Sequence, residues 1–163
     1  MRMFIPEIGT KIVLSAPWTI NVQNEYRNAV VFGLLAATRE DLVQAGRIEA
    51  TRLREEARTD PPGLGYVEQR DRRARLYQRA DAAESLEVTL PAGTELSVDR
   101  IYIRKGVSDY SSLTFNLTKT THPDLNRKGR KRFWVKLAEV NRMEFELAPG
   151  QAEKAPAPVA AGP

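Results

Sequence analysis

The chain has 163 residues, with 25 Lys or Arg against 21 Asp or Glu, one His and no Cys, enough for one ordinary domain with appendages. The lack of cysteine excludes disulfides, thiolate catalysis and cysteine-ligated zinc, and a single histidine excludes a multi-histidine metal site. No apolar run reaches the length of a membrane span and residues 1–7 lack the apolar core of a secretion signal, so a cytoplasmic protein with no membrane partner is expected.

Residues 1–37 read as β structure. Ile12 and Leu14 alternate with Val13 and Ser15, and Trp18, Ile20 and Val22 alternate with Thr19 and Asn21, the period of two of a half-buried strand. Gly9-Thr10 and Ala16-Pro17 mark turns, and residues 21–28 a polar reversal. The apolar run of residues 29–35 fits a buried strand or the start of a buried helix.

Residues 38–84 change character. Thr38-Arg39-Glu40-Asp41 is a capping-box variant ahead of a helix that runs to about residue 58, with Leu42, Gly46, Ala50, Leu53 and Ala57 along one narrow stripe. Thr59-Asp60-Pro61-Pro62-Gly63 breaks it. A second helix follows over about residues 66–83, with Val67, Ala74, Tyr77 and Ala80 on one side. Ten basic and ten acidic residues balance across residues 39–85, often at i,i+3 or i,i+4, as in solvated helices. The pair reads as a charged helical hairpin: a solvated lid over the sheet, or a docking element through the small-residue stripe of the 38–58 helix, which makes that helix a candidate for oligomerisation.

Residues 86–147 return to β. Leu86, Val88 and Leu90 alternate, Pro91-Ala92-Gly93-Thr94 turns, and Leu96 and Val98 alternate before Ile101 and Ile103 continue in the opposite parity. That phase slip between Val98 and Ile101 predicts a β-bulge. Leu113, Phe115 and Leu117 form the next inner face, residues 120–130 a polar loop, and Phe133, Val135 and Leu137 another inner face. Residues 140–147 form a last strand with Met143, Phe145 and Leu147 aligned. Ala, Pro and Gly fill 12 of the 16 positions of residues 148–163, a composition that predicts a disordered tail. The fold class is therefore α+β: residues 1–147 as a single domain, a small, strongly bent antiparallel sheet or partly open barrel (SH3-like or OB-like), with the hairpin inserted at about 38–84.

Charge is unevenly spread. Residues 100–136 hold ten basic residues and two acids, an excess of eight positive charges, while residues outside 39–85 and 100–136 carry a net negative charge. An excess so confined points to a polyanionic partner. If Ile101 and Ile103 face the core, Arg100, Tyr102 and Arg104 face outward; if Phe133, Val135 and Leu137 face the core, Arg132, Trp134 and Lys136 face outward. Paired as a meander around Thr114, Asn116 and Thr118, these strands make one surface with two rings, two basic pairs and a hydrogen-bonding stripe, extended by Arg127, Lys128, Arg130 and Lys131 in the basic loop and by Lys105 and Lys119 at strand ends. Cations neutralise phosphates, flat rings accept stacked bases, and Gly129 lets the loop backbone approach a phosphate. Against this stands a plain alternative: large rings are usually buried, so Tyr102 and Trp134 are covered by the hairpin or the N-terminal strands and the arginines form a snorkelling rim.

Other constellations carry less. His122 before Pro123-Asp124 is a loop residue whose reading as a general base paired with Asp124 or Asp109 has no supporting motif. Glu139, Glu144 and Glu146 read as a solvated edge strand rather than a metal or acid–base site. Glu25 and Arg27, flanking Tyr26, read equally as an ion pair or a ligand contact. No cofactor is implied.

The strings Leu90-Pro91-Ala92-Gly93-Thr94, Val98-Asp99-Arg100-Ile101-Tyr102-Ile103-Arg104-Lys105-Gly106 and Arg132-Phe133-Trp134-Val135-Lys136-Leu137 resemble stretches of small, uncharacterised phage- or prophage-encoded accessory proteins. The resemblance covers the β parts and carries no assigned activity. It implies a protein of the host cytoplasm that binds nucleic acid or a host protein. Two expectations result, neither of them an enzyme: sequence-tolerant binding of single-stranded or irregular nucleic acid on the basic–aromatic sheet face, or binding and inhibition of an acidic host protein through that face and the hairpin.

Overall fold

The computed structural model describes residues 6–103 and 111–151. Strands β1 (Lys11–Leu14), β4 (Glu95–Tyr102), β5 (Ser112–Lys119), β6 (Lys131–Lys136) and β7 (Phe145–Leu147) form one sheet in the order β6-β5-β4-β1-β7; β2 (Trp18–Val22) and β3 (Leu86–Leu90) form a separate two-stranded ribbon. All pairings are antiparallel. Two tight turns carry the chain from sheet to ribbon and back. Ser15-Ala16-Pro17 leads from β1 to β2, and residues 91–94 lead from β3 to β4, where the Gly93 N–H donates to the Leu14 carbonyl at 2.7 Å. Gly93 has φ +80°, a left-handed conformation in which a side chain would be strained.

The two sheets bury their inner faces against each other. Ile12, Leu14, Leu96, Val98, Leu113, Phe115, Leu117, Phe133 and Val135 from the larger sheet meet Trp18, Ile20, Val22, Leu86, Val88 and Leu90 from the ribbon. The Trp18 ring meets Phe115 edge-on, with centroids 5.9 Å apart, and Phe115 lies 5.8 Å from Phe133. The class is α+β, and the larger sheet does not close into a barrel: β6 and β7 remain as its edges. The phase slip falls where expected, with a register shift between Val98 and Arg100 against β5.

Several local expectations are corrected. Residues 1–37 are not β throughout; of the two readings open for the apolar run the helical one holds, since a 3-10 turn, Tyr26–Asn28, leads into α1 (Ala29–Ala36), whose Val31, Phe32 and Leu35 enter the core. Only one stripe of this run faces the core, and a helix offers one stripe where a strand would offer alternate residues. Leu137 begins a short α4 (Leu137–Val140) instead of extending β6, and the last strand shrinks to β7, pairing with β1. Ile101 is half-buried and Ile103 exposed, because the inner face ends with Val98 and Leu113. The expected tail disorder falls mostly on residues 152–163, outside the described residues.

The hairpin forms as α2 (Glu40–Arg58) and α3 (Tyr66–Ala83), with a small core of its own: Ala50, Leu53 and Ala57 against Leu76 and Ala80. Leu42, expected in the α2 stripe, is exposed, as are Val67, Ala74 and Tyr77 of the expected α3 stripe; Leu76 takes the inward position. Thr38 does not cap α2, since its hydroxyl donates back to the Leu35 carbonyl at 3.2 Å. Across the hairpin Arg54 reaches Asp81 at 3.2 Å and Glu84 at 2.7 Å, and Arg72 reaches Glu56 at 3.3 Å. These ion pairs orient the helices at the surface; their contribution to stability is small.

Gly46 sets how near the helices come. A Cβ at this position would lie 2.2 Å from the Ala83 carbonyl oxygen, a backbone atom that cannot move aside. Gly→Ala within a helix ordinarily stabilises by about 1 kcal/mol. Here the sign reverses: Gly46→Ala lowers unfolding free energy by about 1–3 kcal/mol through forced separation of α2 and α3, seen as an earlier denaturant midpoint and faster amide exchange in the hairpin.

Candidate nucleic-acid interface

The meander β4-β5-β6 places the expected residues on one face. Cross-strand pairing gives three rows: Tyr102–Ser112–Lys136, Arg100–Thr114–Trp134, and Ser97–Asn116–Arg132. With strands about 4.8 Å apart and alternate residues about 6.6 Å apart, Tyr102 and Trp134 sit on a diagonal of roughly 12 Å. Tyr102 is 57% exposed, so the hairpin does not seal it from solvent. Arg100, Lys136, Arg127, Lys128 and Arg130 are exposed, and Arg132 is half-buried. Arg104 and Lys105 lie outside the described residues.

The face is less free than the sequence suggests. Asp99, one residue before the basic stretch, is brought by the bulge to the same side. Its carboxylate lies 2.9 Å from Arg132 Nε, 3.1 Å from Arg130 and 3.9 Å from Arg100. Asn116 joins this cluster, accepting from Arg130 Nε at 3.2 Å and donating to Asp99 at 3.3 Å. Three guanidinium groups thus share one carboxylate, and the cluster keeps a positive excess. The expected hydrogen-bonding stripe is committed internally: Thr114 is buried between Arg100 and Trp134, Asn116 serves the arginine cluster, and the Thr118 hydroxyl donates to the Glu95 carbonyl at 2.9 Å. Lys119 is paired with Glu95 at 3.2 Å.

Lys131 is a correction. It is buried, and its ammonium donates to the carbonyls of Arg127 and Gly129, so it shapes the loop from beneath instead of facing a ligand. Gly129 has φ +114°, so the turn itself demands glycine there, without any close approach by a phosphate. Leu125, sunk in the core, anchors the same loop.

Trp134 is half-buried, and a neighbour outside the meander holds it. The carboxamide of fully buried Asn28 accepts from the Trp134 backbone N–H at 2.8 Å and donates to the Gln23 carbonyl at 3.2 Å. Arg27 lies 4.5 Å above the indole centroid, a cation–π contact, while Glu25 holds its guanidinium at 2.7 and 3.2 Å. The ion pair expected as one of two readings of Glu25 and Arg27 is therefore present. The sequence held no signal for the Asn28 contact, which joins residues 106 positions apart. Asn28→Ala leaves a buried N–H without its acceptor and should cost about 1–3 kcal/mol, measured by chemical unfolding, with altered Trp134 fluorescence.

The remaining chemistry-bearing residues do not converge. Among the described residues no group of three or more His, Asp and Glu could hold a metal ion. Glu139 is spent on β2: its carboxylate accepts from the Asn21 N–H at 2.9 Å, and its carbonyl accepts from the Trp18 indole at 3.0 Å. Glu146 lies on the edge strand β7, exposed. His122 Nδ1 accepts from the Asp124 N–H at 3.3 Å, and the Asp124 carboxylate faces Arg39 at 3.8 Å rather than the imidazole. Asp109 lies outside the described residues. Partial burial holds His122 below its ordinary pKa, with Asp124 opposing and Arg39 adding to the effect. Protonation would also remove the ring acceptor. Below the ordinary histidine pKa the unfolded chain binds a proton more readily than the folded one. Stability should therefore decline as pH falls through that value toward the lowered folded one, and His122→Asn should flatten that part of the profile in urea titrations.

No protein-family model, curated protein or solved structure matches the chain. No helix among the described residues is long and apolar enough to cross a membrane.

Proposed function

We propose that the protein is a non-enzymatic module that binds single-stranded or irregular nucleic acid, with little sequence preference, on the outer face of β4-β5-β6. The observation that carries this reading is the meander, which sets Tyr102 and Trp134 on one surface with Arg100, Arg130, Arg132 and Lys136, beside Arg127 and Lys128 in the adjoining loop. Rings and cations at this spacing fit bases and phosphates in alternation. Asp99 holds Arg130 and Arg132 in place before a ligand arrives, which lowers the entropy lost on binding. A bulged, open sheet packed against a two-stranded ribbon is compatible with a partly open SH3-like or OB-like plan, on which such ligands run across the sheet. With the resemblance to phage accessory proteins, the proposal extends to action in the host cytoplasm.

One observation favours a second reading. Leu42, Ile48, Tyr66, Val67 and Tyr77 are exposed on a hairpin that already has its own core. Binding of a host protein through the hairpin and the basic face would use them.

Oligonucleotide titration separates the two. The six cations of this face give a slope of log affinity against log salt of about −4. Trp134→Ala with Arg132→Ala should weaken binding by about tenfold or more, while Tyr66→Ser with Val67→Ser leaves it unchanged. Affinity independent of salt, or indifferent to the Trp134 and Arg132 changes, removes the first reading. Trp18 is sealed in the core, so quenching of indole fluorescence on binding reports Trp134.

A further inference from the structure

The turn from Glu25 to Asn28 lies outside the meander yet wraps the free edge of β6. Asn28 fixes it to the Trp134 backbone, and Arg27 lies on the indole. Glu25 engages Arg27 Nε and one terminal nitrogen, and the other terminal nitrogen bonds to no group among the described residues. Between these two pinned residues stands Tyr26, 95% exposed, the most exposed large apolar side chain among the described residues. Its ring contributes nothing to the core and makes no ring contact there. The contacts of Glu25, Arg27 and Asn28 hold the turn against β6 while the Tyr26 ring stays in solvent.

We infer that the Glu25–Asn28 turn is a second contact patch of the nucleic-acid face, with Tyr26 stacking a base and Arg27 contacting a phosphate. The inference rests on the reading above and deepens it: the ligand passes Trp134 and continues over the edge of β6. The order ring, cation, ring formed by Tyr26, Arg27 and Trp134 matches the alternation of base and phosphate in a single strand. A guanidinium stacked on a ring keeps its in-plane donors directed outward, the geometry by which arginine takes phosphate. A paired duplex offers no base face to such a ring, so the patch selects single strands. The comparably exposed Tyr66 on α3 lacks this continuity with Trp134.

The test is binding of a labelled oligothymidylate to the full chain. Tyr26→Ala should weaken it about fivefold or more, the effect of one lost stacked base, with an unchanged unfolding midpoint because the side chain is exposed. Tyr26→Phe should bind like the wild type, and Arg27→Gln should reduce the salt slope by about 0.7. Tyr66→Ala should have no effect, and a duplex should be insensitive to Tyr26→Ala. If Tyr26→Ala binds normally while Trp134→Ala is weakened, the extension is wrong and the sheet face stands. Equal losses for Tyr26→Ala and Tyr66→Ala overturn the placement. If the wild type binds no oligonucleotide, both the extension and the reading beneath it fall.

Discussion

The Asn28 carboxamide fixes the relation between the helical and the β parts of the candidate face. An edge strand presents unpaired backbone groups, and β6 is an edge. Asn28 takes the Trp134 N–H and spends its own donor on Gln23, so a fully buried polar group has partners on both sides. The bond anchors the 3-10 turn, lets α1 descend onto the core, and sets Arg27 above the indole. Without it Trp134 would be a ring on a loose edge; with it the ring has a defined plane and a cation on one side.

The bulge at Asp99 is the second constraint. An extra residue against β5 turns both Asp99 and Arg100 to the outer side, and the carboxylate settles among three guanidinium groups. Half-buried Arg132 gains a counter-charge it would otherwise lack. The same acid reduces the field offered to a polyanion, so the face exchanges some charge for arginines held in fixed positions.

The hairpin stands apart in its energetics. Its core is alanine, leucine and the backbone approach at Gly46, while its many charges pair with one another. So small an apolar core gives modest stability, and the hairpin is the part of the fold expected to open most readily. The exposed Leu42, Ile48 and Tyr66 are surplus to that core.

Composition and periodicity determined the α+β class, the hairpin and its limits near Pro61, the alternating inner faces of Trp18–Val22 and Leu113–Leu117, the phase slip after Val98, and the parity that sends Arg100, Tyr102, Arg132 and Trp134 to one side. These are local properties, since side-chain direction on a strand repeats every two residues. Tertiary structure alone decided which cations remain available. Lys131 turned beneath its loop, Asp99 entered the arginine cluster, and Arg27 came to rest on Trp134, all through contacts between residues far apart in the chain or across a bend. The helical fate of residues 29–36 belongs with these. An unbroken apolar run suits a strand or a helix equally, and only the packing of one stripe, Val31, Phe32 and Leu35, against the core distinguishes them. Periodicity records which way a residue points; what it meets there depends on strand order and on the segment that crosses the edge.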